Sequence, residues 1–238
     1  MKITTILFDL DGTLLPMDQD LFVKAYFKGL ATRLVPHGYD ANALIDSIWK
    51  GTAAMVRNNG NCTNEEAFWN YFASVFGDDA RKDEPKFREF YETDFQNVRK
   101  VCSYTPAARE IIDLVKAKGY RVVLATNPIF PAIATESRMR WAGLTPEDFD
   151  YYTTYENSTC CKPNPAYYTE ILNKLALQPE ECVMVGNDAI EDTAALKAGI
   201  SQVFLLTDCL LNKDGRDISS YPQGGFEELT RFIESLSG

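Results

Sequence analysis

The run Ile3-Thr4-Thr5-Ile6-Leu7-Phe8-Asp9-Leu10-Asp11-Gly12-Thr13 decides how the rest of the chain is read. Its first half is apolar with little alternation. That is the pattern of a strand buried on both faces, as in a parallel sheet. Its second half sets two carboxylates two residues apart where the strand turns out. Gly12 permits an unusual backbone at that exit. At roughly 5–7% abundance per residue, Asp-x-Asp-Gly-Thr arises by chance in only about a few per thousand chains of this length. Asp11-Gly12 alone also fits a plain turn, so the reading depends on what the other strand ends carry.

Three further apolar runs follow, Arg121–Asn127, Cys182–Asn187 and Val203–Thr207. Helical stretches lie among them. Pro106–Lys118 has Thr105 as N-cap and stops at Gly119, Pro165–Leu175 starts on a proline, and Ala189–Ala198 ends at Gly199. A polar segment, Thr207–Gly225, precedes a last helix at Phe226–Ser235. Strands alternating with helices predict a doubly wound α/β domain, whose ligand sits beyond the carboxyl ends of the strands. Residues 18 to 100 differ, because no run there reads as a strand. Asp18–Leu34, Asp40–Arg57, Thr63–Phe76 and Asp83–Arg99 read as helices, with Thr63 and Glu66 as a capping box. The aromatics Phe68, Trp69, Tyr71 and Phe72 are expected mainly in the core of this bundle.

The other strand ends carry chemistry too. Thr126-Asn127 follows Val122–Ala125, and a hydroxyl with backbone amides there can hold a phosphoryl oxygen. Lys162 stands just before a helix start in Cys160-Cys161-Lys162-Pro163. A cation there can neutralise a carboxylate and a phosphoryl oxygen together. Gly186-Asn187-Asp188-x-x-x-Asp192 follows the third run. With Asp9, Asp188 and Asp192 make an oxygen-rich site suited to Mg²⁺. Asp9 can attack phosphorus, and Asp11 can pass a proton to the leaving oxygen and take one from water. Each residue also has a plainer reading. Thr126-Asn127 fits a helix cap, Lys162 a solvated loop, and the two acids a helix N-terminus.

The chain has 238 residues, 45% hydrophobic and 24% charged, with a net charge of −10. It is long enough to bury a core without staples. The acidic excess excludes nucleic acid and an anionic membrane as bulk partners. No apolar run is long enough for a membrane span, and the N-terminus lacks a signal-peptide pattern. The one histidine, His37, sits in a Pro-His-Gly turn, which leaves no room for a His-rich zinc site. Six cysteines without a Cys-x-x-Cys pair are expected as free thiols in a reducing, cytoplasmic setting.

The four strand-end motifs together resemble the haloacid dehalogenase-like superfamily over nearly the whole chain. The resemblance implies a Rossmann-like core with strand order 5-4-1-2-3 and an α-helical cap inserted after the first motif. The core would be residues 1–16 and 103–238, and the cap 17–102, with hinges near Leu15–Asp18 and Lys100–Tyr104. It implies Asp9 as nucleophile, Asp11 as general acid and base with its carbonyl on Mg²⁺, and Thr126, Asn127 and Lys162 on the phosphate. Asp188 is expected to ligate directly, and Asp192 to ligate through water or orient Lys162. Asn187 departs from the pattern, since many members have an acid there. The implied activity is Mg²⁺-dependent hydrolysis of a small phosphorylated metabolite through an aspartyl-phosphate. A phosphomutase shares the same core residues. A dehalogenase is disfavoured by Asp11, and a phosphonate hydrolase by the unremarkable contexts of Lys24, Lys28 and Lys50. A signalling receiver is disfavoured by length, and a non-catalytic binder by the complete residue set. Arg33, Arg57, Trp49, Trp69 and Tyr71 are candidates to line the cavity, and a monomer is mildly preferred.

Overall fold

In the computed structural model, which describes residues 2–237, six parallel strands form the central sheet. They are β1 Thr5–Phe8, β2 Arg121–Leu124, β3 Tyr151–Tyr152, β4 Cys182–Gly186, β5 Gln202–Leu206 and β6 Gln223–Gly224. The order is β3-β2-β1-β4-β5-β6, which is the expected 5-4-1-2-3 arrangement with a two-residue strand added at one edge. Thr5 pairs with both Arg121 and Cys182, so β1 lies at the centre. All four of its residues are buried. The two-residue period of a strand sends Ile6 and Phe8 to one face and Leu7 to the other.

Eight α-helices complete the described chain: α1 Gln19–Leu34, α2 Ala41–Val56, α3 Asn64–Phe76, α4 Glu84–Glu92, α5 Ala107–Ala117, α6 Ala132–Trp141, α7 Pro165–Leu175 and α8 Phe226–Ser235. Ile111, Ile112 and Val115 of α5, Met139 of α6 and Ile233 of α8 pack on the Ile6 face. Tyr167, Tyr168 and Ile171 of α7 pack on the Leu7 face. Helices α1–α4 form a bundle inserted after β1. Their starts are capped as the sequence predicts, by Asp18 on the Leu21 amide, Asp40 on the Ala43 amide, and Thr63 with Glu66 as a capping box. Phe68, Trp69, Phe72 and Phe90 are buried in this bundle. The two crossings between bundle and sheet run side by side. Met17 bridges Cys102, and the Ser103 amide donates to the Pro16 carbonyl at 2.8 Å. Asn64 ties the start of α3 to the sheet domain by donating to the carbonyls of Pro128 and Cys160 at 3.1 and 3.3 Å.

Three expectations need correction. The helix expected over Asp83–Arg99 is α4 alone, followed by a 3₁₀ segment over Asp94–Val101. Thr93 breaks it, because its hydroxyl donates to the Glu89 carbonyl and also accepts from Arg33, which pairs with Asp94. The helix expected over Ala189–Ala198 is a turn and then a 3₁₀ segment from Thr193 to Ala198. There the Asp188 carboxylate caps the turn by accepting from the Ile190 and Glu191 amides, and the segment continues with 3₁₀ bonds such as the Ala195 amide to the Asp192 carbonyl. The runs did not mark β3 or α6: two residues carry no strand signal, and α6 is buried on several sides.

Two glycines let the strand ends meet. Gly12 has φ +82°, and a Cβ there would lie 2.3 Å from Asn187 Nδ2. A Cβ on Gly186, at the end of β4, would lie 2.1 Å from the Asp192 carboxyl. Gly186→Ala must therefore push Asp192 aside. It is expected to cost about 1–3 kcal/mol in urea unfolding, and an unchanged midpoint would contradict this packing.

Candidate active site

Every residue singled out at the strand ends reaches one cavity or its wall. The carboxyl end of β1 delivers Asp9, which is 8% exposed. Its Oδ1 accepts from Lys162 Nζ at 2.9 Å, and its Oδ2 accepts from the Thr13 hydroxyl at 3.4 Å. Lys162 is 1% exposed, and its ammonium also donates to Asp192 Oδ1 at 2.7 Å. The second Asp192 oxygen accepts from the Asp188 amide at 2.8 Å. Both oxygens of Asp192 are thus spent on protein donors, the arrangement of a residue that orients Lys162. Asp188 lines the cavity with one oxygen turned to its own loop.

Thr126 follows β2 and lines the same cavity. Its carbonyl is fixed from behind by Thr153 Oγ1 at 2.6 Å and by the Tyr167 hydroxyl at 2.8 Å. The Asn127 amide donates to both Glu191 oxygens at 3.1 Å, and its own buried oxygen has no partner. Asn187 accepts from Thr13 at 3.1 Å and donates to the Cys209 carbonyl at 2.7 Å, so it braces one loop against another.

Two residues that sequence reasoning did not select complete the site. Arg138 of α6 is fully buried and pairs with Asp11 Oδ2. Its guanidinium stacks over the Phe130 ring, 4.4 Å from the centroid. The only sequence signal was position: Arg138 lies four residues after the buried Ala134 and three before the buried Trp141, on the inward face of the helix. Glu191 lines the cavity between Asp188 and Asp192, inside a motif of which only the ends had been read. Of the other cavity candidates, Trp49 and Trp69 line it. Arg33 is held by Glu89 and Asp94, Arg57 is exposed, and Tyr71 is half-buried away from the lining. His37 is exposed, as expected. All six cysteines are free thiols.

The electrostatics follow from burying acids together. Burial is the main cause that pushes the Asp9 carboxyl up to about 7, with Lys162 pulling it down and Asp192 and Asp11 pushing it up. Burial likewise raises Asp11, against the pull of Arg138 and Lys162. Asp11 Oδ1 is buried without a partner. A carboxyl that holds its proton with one oxygen unengaged can serve as a proton donor. Burial pushes Glu191 up to about 7 as well. For Lys162, burial favours the neutral amine, but Asp192 and Asp9 outweigh it and hold the proton well above the ordinary lysine range.

Asp9, Asp11, Asp188, Glu191 and Asp192 thus crowd one cavity with Lys162 and Arg138 as the adjoining cations. That excess of negative charge, made of hard oxygen donors, fits a divalent cation such as Mg²⁺. Among the described residues no three metal-ligating side chains converge on one point. The fit is therefore to an ion that takes one or two carboxylates and fills its shell with water and phosphate oxygens.

A family model described as haloacid dehalogenase-like hydrolase matches residues 3–199. The chain belongs to the haloacid dehalogenase-like hydrolases, with the helical bundle as its inserted cap. It is 27% identical over 199 residues to the pyrophosphatase PpaX of Bacillus cereus (strain ATCC 10987 / NRS 248), covering 84% of this chain and 81% of that protein. In fold it is similar to a HAD phosphatase from Thermococcus onnurineus, with TM-score 0.62, 19% identity and 99% of each chain covered. It is also similar to CbbY from Rhodobacter sphaeroides, solved in complex with phosphate. There the TM-score is 0.60 and the identity 19%, with 95% of this chain and 96% of that one covered. No helix among the described residues is long and apolar enough to cross a membrane.

Two measurements check the site. With divalent ions chelated, Glu191→Gln is expected to be more stable than wild type at pH 8, with most of the gain gone at pH 5. A carboxyl raised on folding from its ordinary value of 4.5 to about 7 takes stability away progressively as pH climbs between those two values, and the loss is complete above the upper one. The difference between the two pH values is roughly 2 kcal/mol in urea unfolding, and a gain independent of pH would contradict it. Arg138→Met leaves Asp11 without its cation and is expected to cost about 3 kcal/mol; an unchanged unfolding midpoint would contradict the pairing.

Proposed function

We propose that the protein hydrolyses the phosphomonoester of a small metabolite, with Asp9 as the nucleophile and Mg²⁺ as the cofactor. The observation that carries this reading is the Asp9–Lys162 contact at 2.9 Å at the floor of a cavity that Asp11 and Thr126 also line. Asp9 attacks phosphorus and becomes esterified, while Asp11 gives its proton to the leaving alcohol. Asp11 then takes a proton from the water that cleaves the acyl phosphate, and Arg138 holds the carboxyl in place throughout. The Thr126 hydroxyl, the Asn127 amide and Lys162 bind the phosphoryl oxygens, and Asp192 keeps Lys162 aimed at them. Asp9, the Asp11 carbonyl and Asp188 would hold Mg²⁺, whose charge offsets repulsion between the Asp9 carboxylate and the phosphate dianion.

The cap is taken as residues 17–102 and the core as 1–16 and 103–238, with closure at the paired crossings around Met17 and Cys102. Closure would exclude water other than the hydrolytic one. Asp11 argues for phosphate esters over carbon–halogen bonds, because halide leaves without a proton. Free thiols fit the reducing environment of the cytoplasm.

Phosphate release from a monoester panel tests the reading. Wild type is expected to turn over with Mg²⁺ and to lose at least a hundredfold in chelator. Asp9→Asn is expected to be inactive at every Mg²⁺ concentration, and substantial Mg²⁺-dependent release by that variant would refute the assignment.

A further inference from the structure

The cavity beyond the phosphate site has a composition that selects the other half of the substrate. Its volume is about 280 Å³. On the cap side the lining includes Phe22, Phe27, Trp49, Phe68, Trp69 and Phe87. Among the described residues no Lys, Arg or His side chain lines it, and the cations that adjoin it, Lys162 and Arg138, sit behind Asp9 and Asp11 at the phosphate end; its five ionisable acids, Asp9, Asp11, Asp188, Glu191 and Asp192, all come from the core. Two basic residues of the cap are paired elsewhere: Arg33 is bound by Glu89 and Asp94, and Lys50 by Asp46. A carboxylate or a second phosphate on the substrate would leave water, meet no cation and face like charges. Transfer of an unpaired anion into such surroundings is strongly unfavourable.

Sugar hydroxyls fare little better. Tyr26 and Tyr91 line this space, and their hydroxyls share one hydrogen bond at 3.0 Å, which occupies one of their two O–H donors. Gln19, Thr52 and the Trp69 indole are the remaining polar groups on the cap side. Trp69 Nε1 is buried beside the Tyr155 hydroxyl, so it offers little to a substrate. Trp49 stacks at 5.1 Å from the Phe27 ring while staying 51% exposed, which places an aromatic face at the mouth. An apolar cavity of about 150 Å³ takes a benzene ring, so this one has room for such a ring beside a phosphoryl group.

We propose that the leaving alcohol is uncharged, apolar and ring-bearing, as in an arylalkyl phosphate, and that esters whose alcohol carries a second anionic group, pyrophosphate and sugar phosphates are poor substrates. The proposal rests on the phosphatase reading and narrows it.

The test uses the full chain with Mg²⁺ and compares kcat/KM for 2-phenylethyl phosphate, 2-phosphoglycolate, glucose 6-phosphate and pyrophosphate. The first three are primary-alcohol monoesters, so their differences report the cavity rather than the leaving group. The aryl ester is expected to lead by at least tenfold. Thr52→Arg, which brings a cation into the cavity, is expected to narrow its lead over 2-phosphoglycolate by at least tenfold. 2-Phosphoglycolate, glucose 6-phosphate or pyrophosphate matching or exceeding 2-phenylethyl phosphate in wild type would overturn the proposal. Binding of 2-phenylethanol, followed by tryptophan fluorescence, separates the two readings. Saturable binding with no phosphate released from any compound refutes the phosphatase reading and supports the apolar site. No saturable binding overturns the site itself.

Discussion

The structure depends on keeping one ammonium, Lys162, charged and almost wholly buried between Asp9 and Asp192. A buried charge persists only when paired and hydrogen-bonded, and three separate strand ends supply the pairing. β1 brings Asp9, the loop before α7 brings Lys162, and the loop after β4 brings Asp192. The parallel register around β1 holds these ends level, and the bare Cα of Gly186 gives the Asp192 carboxyl its space. Taking away Lys162 would leave two desolvated carboxylates facing each other, whereas losing either aspartate leaves one matched pair.

A second layer of the same logic surrounds Asp11. Arg138 reaches it from α6 and is itself stacked on Phe130, which in turn meets Phe22 and Tyr26 of the cap edge to face. The proton-handling carboxyl is therefore linked through one ring to the helices that cover the cavity. Its free oxygen, Oδ1, is the one left for substrate. On the proposed reading the core meets the phosphoryl group with charge, while the cap meets the remainder of the substrate with aromatic surface.

Much of this was legible in the chain. Asp9, Asp11, Thr126, Asp188 and Asp192 each follow an apolar run, and strand ends are where a parallel sheet gathers its ligand groups, while Lys162 was marked by the helix start just after it. The helix starts of the cap could be read because Asp18, Asp40 and Thr63 cap through local bonds. The residues that could not be read act at long range or without a period. Arg138 meets Asp11 across 127 positions of chain, and a lone arginine in a helix carries no mark of that partner. Glu191 stood inside a known motif, but only burial made it chemically unusual. β3 is too short for any alternation, and Asp188 caps the 189–192 turn with the same bonds that start an α-helix, so the sequence carried no mark of the 3₁₀ geometry that follows.

Mapping the phosphoryl group during turnover tests the central claim most directly. The enzyme is mixed with saturating substrate and Mg²⁺, quenched in acid within milliseconds, digested and examined by peptide mass spectrometry. The account predicts an added phosphoryl mass on the peptide that contains Asp9 and on no other. A phosphoryl group on another residue, or continued turnover with no modified residue at any quench time, would contradict it.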